Sequence, residues 1–101
     1  MDKYKINECM DKLTYNQHKL IKRLIPGIIR ASINTFHNYR KLQMGDDKDI
    51  PYETVRILEV LFGLEVGELA NFEVKAKSAR ALFKEHQVAL TQPMDPYEME
   101  S

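Results

Sequence analysis

Apolar residues in this chain recur at intervals of three and four, and almost nowhere do they alternate over the length of a strand. That period is what a helix needs to bury one stripe of its surface, so the spacing predicts an all-α fold, a compact bundle of about five short helices. Ile6, Cys9, Met10 and Leu13 share one face of a first helix. Thr14 or Asn16 offers a side-chain oxygen to cap the next, with Leu20, Ile21 and Leu24 as its inward stripe. Pro26-Gly27 interrupts the pattern. Proline is tolerated in the first turn of a helix, so Ile25 to Arg30 reads as a fresh short helix carrying Ile28 and Ile29 inward. Ser32 caps a helix running to about Leu42, with no Gly or Pro before Gly45 to stop it, and Gly45 to Asp49 forms a loop. Pro51 opens a helix whose inner face carries Val55, Leu58, Val60, Leu61 and Phe62, with Gly63 as its C-cap. A short helix from Val66 to Asn71 then supplies Val66 and Leu69 to the core. Glu73 to Leu90 reads as a C-terminal amphipathic helix with Val74, Ala79, Leu82, Phe83, His86 and Leu90 along one side.

A length of 101 residues suits one core. The expected organisation is a helical domain over 1–72, the C-terminal helix over 73–90, and a tail over 91–101 whose two prolines and acidic bias predict disorder. The balance of 44% hydrophobic and 30% charged residues fits a soluble protein. No apolar run approaches the ~20 residues of a membrane span. The first ten residues lack the apolar stretch of a secretory signal, and the single Cys9 has no internal disulfide partner, so a cytoplasmic location is expected. Cys9, His18 and His86 have no partners at metal-ligand spacing, and no paired carboxylates, Cys-His arrangement or Gly-rich phosphate loop is present. The sequence therefore predicts no metal, no cofactor, no small-molecule ligand and no enzyme.

Net charge is zero, but the charges are segregated. Between Lys12 and Met44 the charged residues are Lys12, Lys19, Lys22, Arg23, Arg30, Arg40 and Lys41, with no acid among them. From Gly45 onward 12 acidic residues face 6 basic ones. A positive half attracts a polyanion to one side of the molecule. Two helices joined by a tight turn, the second polar on one side and lying in that acid-free stretch, form an arrangement that can place a helix in the major groove of double-stranded DNA. Ser32, Asn34, His37 and Asn38 can all exchange hydrogen bonds with base edges. Lys22, Arg23, Arg30, Arg40 and Lys41 can hold phosphates, and Phe36 and Tyr39 would anchor the helix on Ile25, Ile28 and Ile29. Each of these polar residues would be equally at home on an ordinary solvated face; it is their grouping that points to DNA.

Three segments resemble the lambda-repressor-like helix-turn-helix proteins of phage repressors and bacterial regulators: Leu24 to Ser32, Asn34 to Arg40 and Ile50 to Leu69. Together they lie within about two thirds of the chain. The last carries most of the resemblance, with its loop, Pro-initiated helix, Phe-Gly ending and Val-x-x-Leu segment. The resemblance implies that Ser32, Ile33 and Asn34 begin the recognition helix and that His37, Asn38 and Lys41 reach further bases or phosphates. It further implies that Phe36 and Tyr39 pack the core. Arg30 stands where the family usually has Gly, and Pro26 where it usually has Ala. The expected function is sequence-specific double-stranded DNA binding as a transcriptional regulator, with the C-terminal helix available to form a homodimer. The competing expectation is a helical protein-interaction module that has lost DNA binding and presents the Glu73 to Leu90 helix to a partner.

Overall fold

The computed structural model describes residues 1–88 and is all-α. Five helices follow one another: α1 (Ile6–Asp11), α2 (Tyr15–Ile29), α3 (Ile33–Lys41), α4 (Tyr52–Leu61) and α5 (Ala79–Glu85). Among the described residues there is no strand, only two isolated antiparallel bridges, Asp2 with Gln43 and Tyr4 with Ala70. No helix among them is long and apolar enough to cross a membrane.

The first four helices enclose the core. Ile6, Cys9 and Met10 of α1 meet Ile25 and Ile29 of α2, Phe36 of α3 and Leu58 of α4, with Tyr4, Leu42, Ile50 and Leu69 closing the gaps between them. α2 is the centre of the arrangement and contacts both α3 and α4, while α1 packs on α3. Its start is fixed locally by a capping box: the Gln17 N–H donates to the Thr14 hydroxyl at 3.3 Å, and the Thr14 N–H donates to the Gln17 side chain at 3.0 Å.

α2 differs from the sequence expectation in running unbroken to Ile29 with Pro26 inside it. Proline deprives the helix of one N–H, but only in its last turn. Ile25 and Ile29, four residues apart, are both buried, and burying them on one face outweighs the lost bond. The buried stripe accordingly lies further along than expected: Ile21 is half-buried, whereas Leu20 and Leu24 are exposed.

α3 starts as the sequence predicts, with the Thr35 N–H donating to the Ser32 hydroxyl at 3.0 Å, and it ends where predicted, at Lys41 with Leu42 as C-cap, ahead of Gly45. The cause is the N-terminal segment. Lys3 N–H donates to the Leu42 carbonyl at 2.9 Å and Met44 N–H to the Met1 carbonyl at 2.9 Å, which draws residues 42–44 out of helical geometry. The other side of the same segment pairs with residues 69–71, through Lys5 N–H to Leu69 (2.7 Å) and Asn71 N–H to Lys3 (2.9 Å). The helix expected over Val66 to Asn71 is therefore absent. Residues 65–68 form a turn around Gly67, at φ +89°, and Val66 is 67% exposed while Leu69 is buried.

α4 begins after Pro51 and ends in a Schellman motif: Leu64 N–H reaches the Glu59 carbonyl (2.8 Å), Gly63 N–H reaches Val60 (3.2 Å), and Gly63 takes the left-handed conformation at φ +69°. Leu58 is buried and Val55, Leu61 and Phe62 are half-buried, but Val60, expected inside, is 70% exposed. The adjacent Glu59 is wholly buried instead. Its carboxylate accepts from Arg56 at 2.8 Å and from the Leu69 N–H at 3.1 Å. Burial alone would raise this carboxyl, but the Arg56 guanidinium and the N–H groups of Leu69 and Gly67 together hold it below the ordinary carboxylate range.

The C-terminal helix is shorter than its amphipathic pattern suggests. Residues 73–78 are not helical, Ser78 caps α5 by accepting from Ala81 N–H, and α5 buries no residue. Val74, Ala79, Leu82 and His86 are exposed and Phe83 is half-buried. An amphipathic stripe without a surface to bury it supports little helix. Leu90 and the tail expected to be disordered lie outside the described residues.

Glu59→Ala leaves the Leu69 N–H without its acceptor and is expected to lower the unfolding free energy by about 2–3 kcal/mol at neutral pH, as read by urea denaturation. Because the folded pKa lies below the unfolded one, the Glu59 contribution is fully present above the ordinary value of 4.5. It is lost as pH falls through the depressed value. The stability gap between wild type and Glu59→Ala should therefore narrow on acidification, and a gap that stays constant would contradict this account.

Candidate nucleic-acid interface

Three residues, Arg30 to Ser32, separate α2 from α3. Arg30 ends α2 in the left-handed conformation, at φ 56° and ψ 43°, and is exposed. A side chain there costs about 1–2 kcal/mol that glycine would not incur. What this conformation achieves is the sharp reversal that lets Ser32 start α3 at once.

Along α3, Asn34, His37, Asn38 and Lys41 fall at intervals of three, one and three, and so form a single row on one side of the helix. Phe36 is fully buried and Tyr39 half-buried on the other side, which fixes the row's rotation toward solvent. The row lines a shallow cleft of about 650 Å³ together with Arg40 and with Asn7 of α1. Of the residues expected to read bases, Asn34, His37 and Asn38 thus come together. Ser32 stands apart from the cleft, with its hydroxyl engaged at the N-cap and 3.0 Å from the Thr35 hydroxyl. Ile33 is half-buried and packs against the core.

Among the expected phosphate contacts, Arg40 and Lys41 line the cleft, while Lys22, Arg23 and Arg30 lie outside its lining. Lys22 nevertheless acts on it electrostatically. Burial, followed by the charges of Arg40, Lys22 and Lys41, lowers the His37 pKa below its ordinary value of 6.5, so the imidazole is neutral at pH 7 and can both donate and accept.

Asn7 was not legible in the sequence as part of this site. It lies 33 residues from Arg40 and is simply a polar position beside the apolar stripe of α1, so no local pattern marks it. In the structure its side-chain oxygen accepts from the Arg40 Nε at 2.7 Å, and its amide donates to the Arg40 carbonyl at 3.1 Å and to Asp2 at 3.2 Å. Among the described residues no group of three His, Cys, Asp or Glu side chains gathers that could hold a metal ion. Cys9 is buried, and burial pushes its thiol up.

No protein family, no curated protein and no solved structure matches the chain.

Relief of the left-handed Arg30 supplies a test of the turn. Arg30→Gly is expected to raise the unfolding free energy by up to about 1 kcal/mol, whereas Arg30→Ala, which keeps a Cβ in the same conformation, should give no gain. Equal stability of the two variants in urea unfolding would show that the turn carries no strain at this residue.

Proposed function

We propose that the protein binds double-stranded DNA sequence-specifically and acts as a transcriptional regulator, with α2 and α3 as a helix-turn-helix. The observation that carries this reading is the row Asn34, His37, Asn38 and Lys41 on the solvent side of α3, in a stretch of chain with seven basic residues and no acid. A major groove admits one α-helix, and two amides and a neutral imidazole on its exposed side match the mixed donors and acceptors of base edges. Each well-formed base contact would contribute ~1–3 kcal/mol of discrimination. Lys22, Arg23, Arg30, Arg40 and Lys41 would supply sequence-independent affinity through phosphates. The lambda-repressor-like resemblance of the sequence points the same way.

A second reading, a helical protein-interaction module, has one observation in its favour. An apolar cleft of about 410 Å³ opens between α2 and α4, lined by Ile28, Ile57, Val60 and Leu61 with Glu53 and Arg56 at its edge.

Fluorescence-anisotropy titration with random-sequence duplex at two salt concentrations, beside selection from a randomised duplex library, separates the two. Salt-sensitive binding that enriches a motif supports the DNA reading, and no binding at low salt overturns it in favour of the interaction module. Lys41→Ala should weaken binding to every duplex and reduce the slope of log K against log salt by about 0.9, the value for one phosphate contact. A neutral His37 offers base edges both a donor and an acceptor, and protonation would remove the acceptor. Discrimination among duplexes is then expected to fall as pH drops from about 7.5 to about 5, a dependence that His37→Gln should flatten.

A further inference from the structure

Of the two cations that line the cleft, Arg40 and Lys41, Arg40 alone has a hydrogen-bonded side chain among the described residues. Its Nε donates to Asn7 at 2.7 Å, and the same Asn7 side chain donates to the Arg40 carbonyl at 3.1 Å, so one amide grips both ends of the residue. The amide's orientation is determined by its partners. Both Nδ2 hydrogens face acceptors, the Arg40 carbonyl and the Asp2 carboxylate, which leaves Oδ1 facing the guanidinium. Asp2 is itself held by Gln43 at 2.7 Å. From below, the guanidinium carbon lies 5.9 Å from the centre of the fully buried Phe36 ring. Arg40 forms no ion pair among the described residues, so its charge and its two terminal nitrogens remain for a ligand.

We propose that Asn7 is a positioning residue that presets Arg40 to grip one phosphate of the DNA backbone, an inference that rests on the DNA reading of α3. Successive residues turn 100° around a helix, which puts Arg40 about 100° away from the Asn34-His37-Asn38-Lys41 row, on the flank toward α1. With that row in the groove, Arg40 stands at the groove's edge, where the sugar-phosphate strand runs. With Nε already engaged, the guanidinium presents its two terminal nitrogens, which match two oxygens of one phosphate. Lys41 and Lys22 add positive charge to the same region. The arginine's terminal atoms are thus ordered before DNA arrives, which lowers the entropy lost on binding.

The test is a double-mutant cycle on the full chain, read by anisotropy titration against several duplexes of different sequence across a range of salt. Asn7→Ala is expected to weaken binding about five- to tenfold on all of them. The salt slope should be unchanged, because no charge is removed. Arg40→Lys keeps the charge but lacks the Nε that Asn7 holds; in that background Asn7→Ala should cost almost nothing. Asn7→Asp places a negative charge beside the phosphate and should bind more weakly than Asn7→Ala. Circular dichroism and thermal unfolding check that each variant folds, and the Arg40→Lys and Asn7→Asp arms carry the test if the alanine variant does not. Asn7→Ala binding like wild type, or losing as much in the Arg40→Lys background as in wild type, overturns the positioning role. An Arg40→Lys variant that loses preference among duplexes, in place of a uniform loss, overturns the phosphate assignment. Wild-type protein that binds no duplex at all overturns the DNA reading together with this inference, a result distinct from either of the others.

Discussion

The first five residues hold the rest of the structure in register. They run between residues 42–44 on one side and 69–71 on the other, exchanging backbone hydrogen bonds with both. Tyr4 is buried and its hydroxyl is held by Asp49, which Lys3 also approaches at 3.6 Å. Burial, with the Asp49 carboxylate beside it, raises the Tyr4 hydroxyl well above its ordinary value and keeps it a donor. Backbone groups left unpaired inside a protein cost about as much as a lost hydrogen bond, so whichever segment meets them must adopt the conformation that satisfies them. That single requirement ends α3 at Lys41, keeps 69–71 out of a helix and brings α1 alongside α3.

The polar side of α3 acquires its setting from the same arrangement. Without α1 beside it, the row from Asn34 to Lys41 would be an ordinary solvated helix face. With α1 in place, Asn7 forms one wall of the cleft and Arg40 is fixed against Phe36. Electrostatics follows geometry here: Arg40 and Lys41 lie one helical turn along α3 from His37, and Lys22 joins them from α2 because the two helices meet at a three-residue turn in which Arg30 accepts a left-handed backbone. Stability lost at Arg30 is offset by burial elsewhere, in the Ile25-Ile29-Phe36-Leu58 centre of the core and in the wholly buried Glu59 carboxylate that ties α4 to Leu69.

Features legible in the sequence were those that a few neighbouring residues decide. Thr14 and Ser32 cap helices because their own side-chain oxygens reach N–H groups three residues on. Gly63 ends α4 because it can adopt a left-handed backbone, and Phe36 and Tyr39, three apart on one side of α3, turn its polar row outward. From such signals the helical class, the start of each of the first four helices except the spurious break at Pro26, and the cleft residues Asn34, His37, Asn38, Arg40 and Lys41 could be read.

What the sequence by itself determined, then, is where helices can begin, which side of α3 is polar, and that this helix lies in a stretch of chain with basic residues and no acid. The tertiary structure alone decided that α2 continues through Pro26, that Glu59 is inside and Val60 outside, that Val66 to Asn71 is not a helix, and that Asn7 belongs to the site. Each of these depends on a group far away in the chain or on a surface available for burial, and local propensities of a few tenths to about 1 kcal/mol per residue are too small to prevail against either.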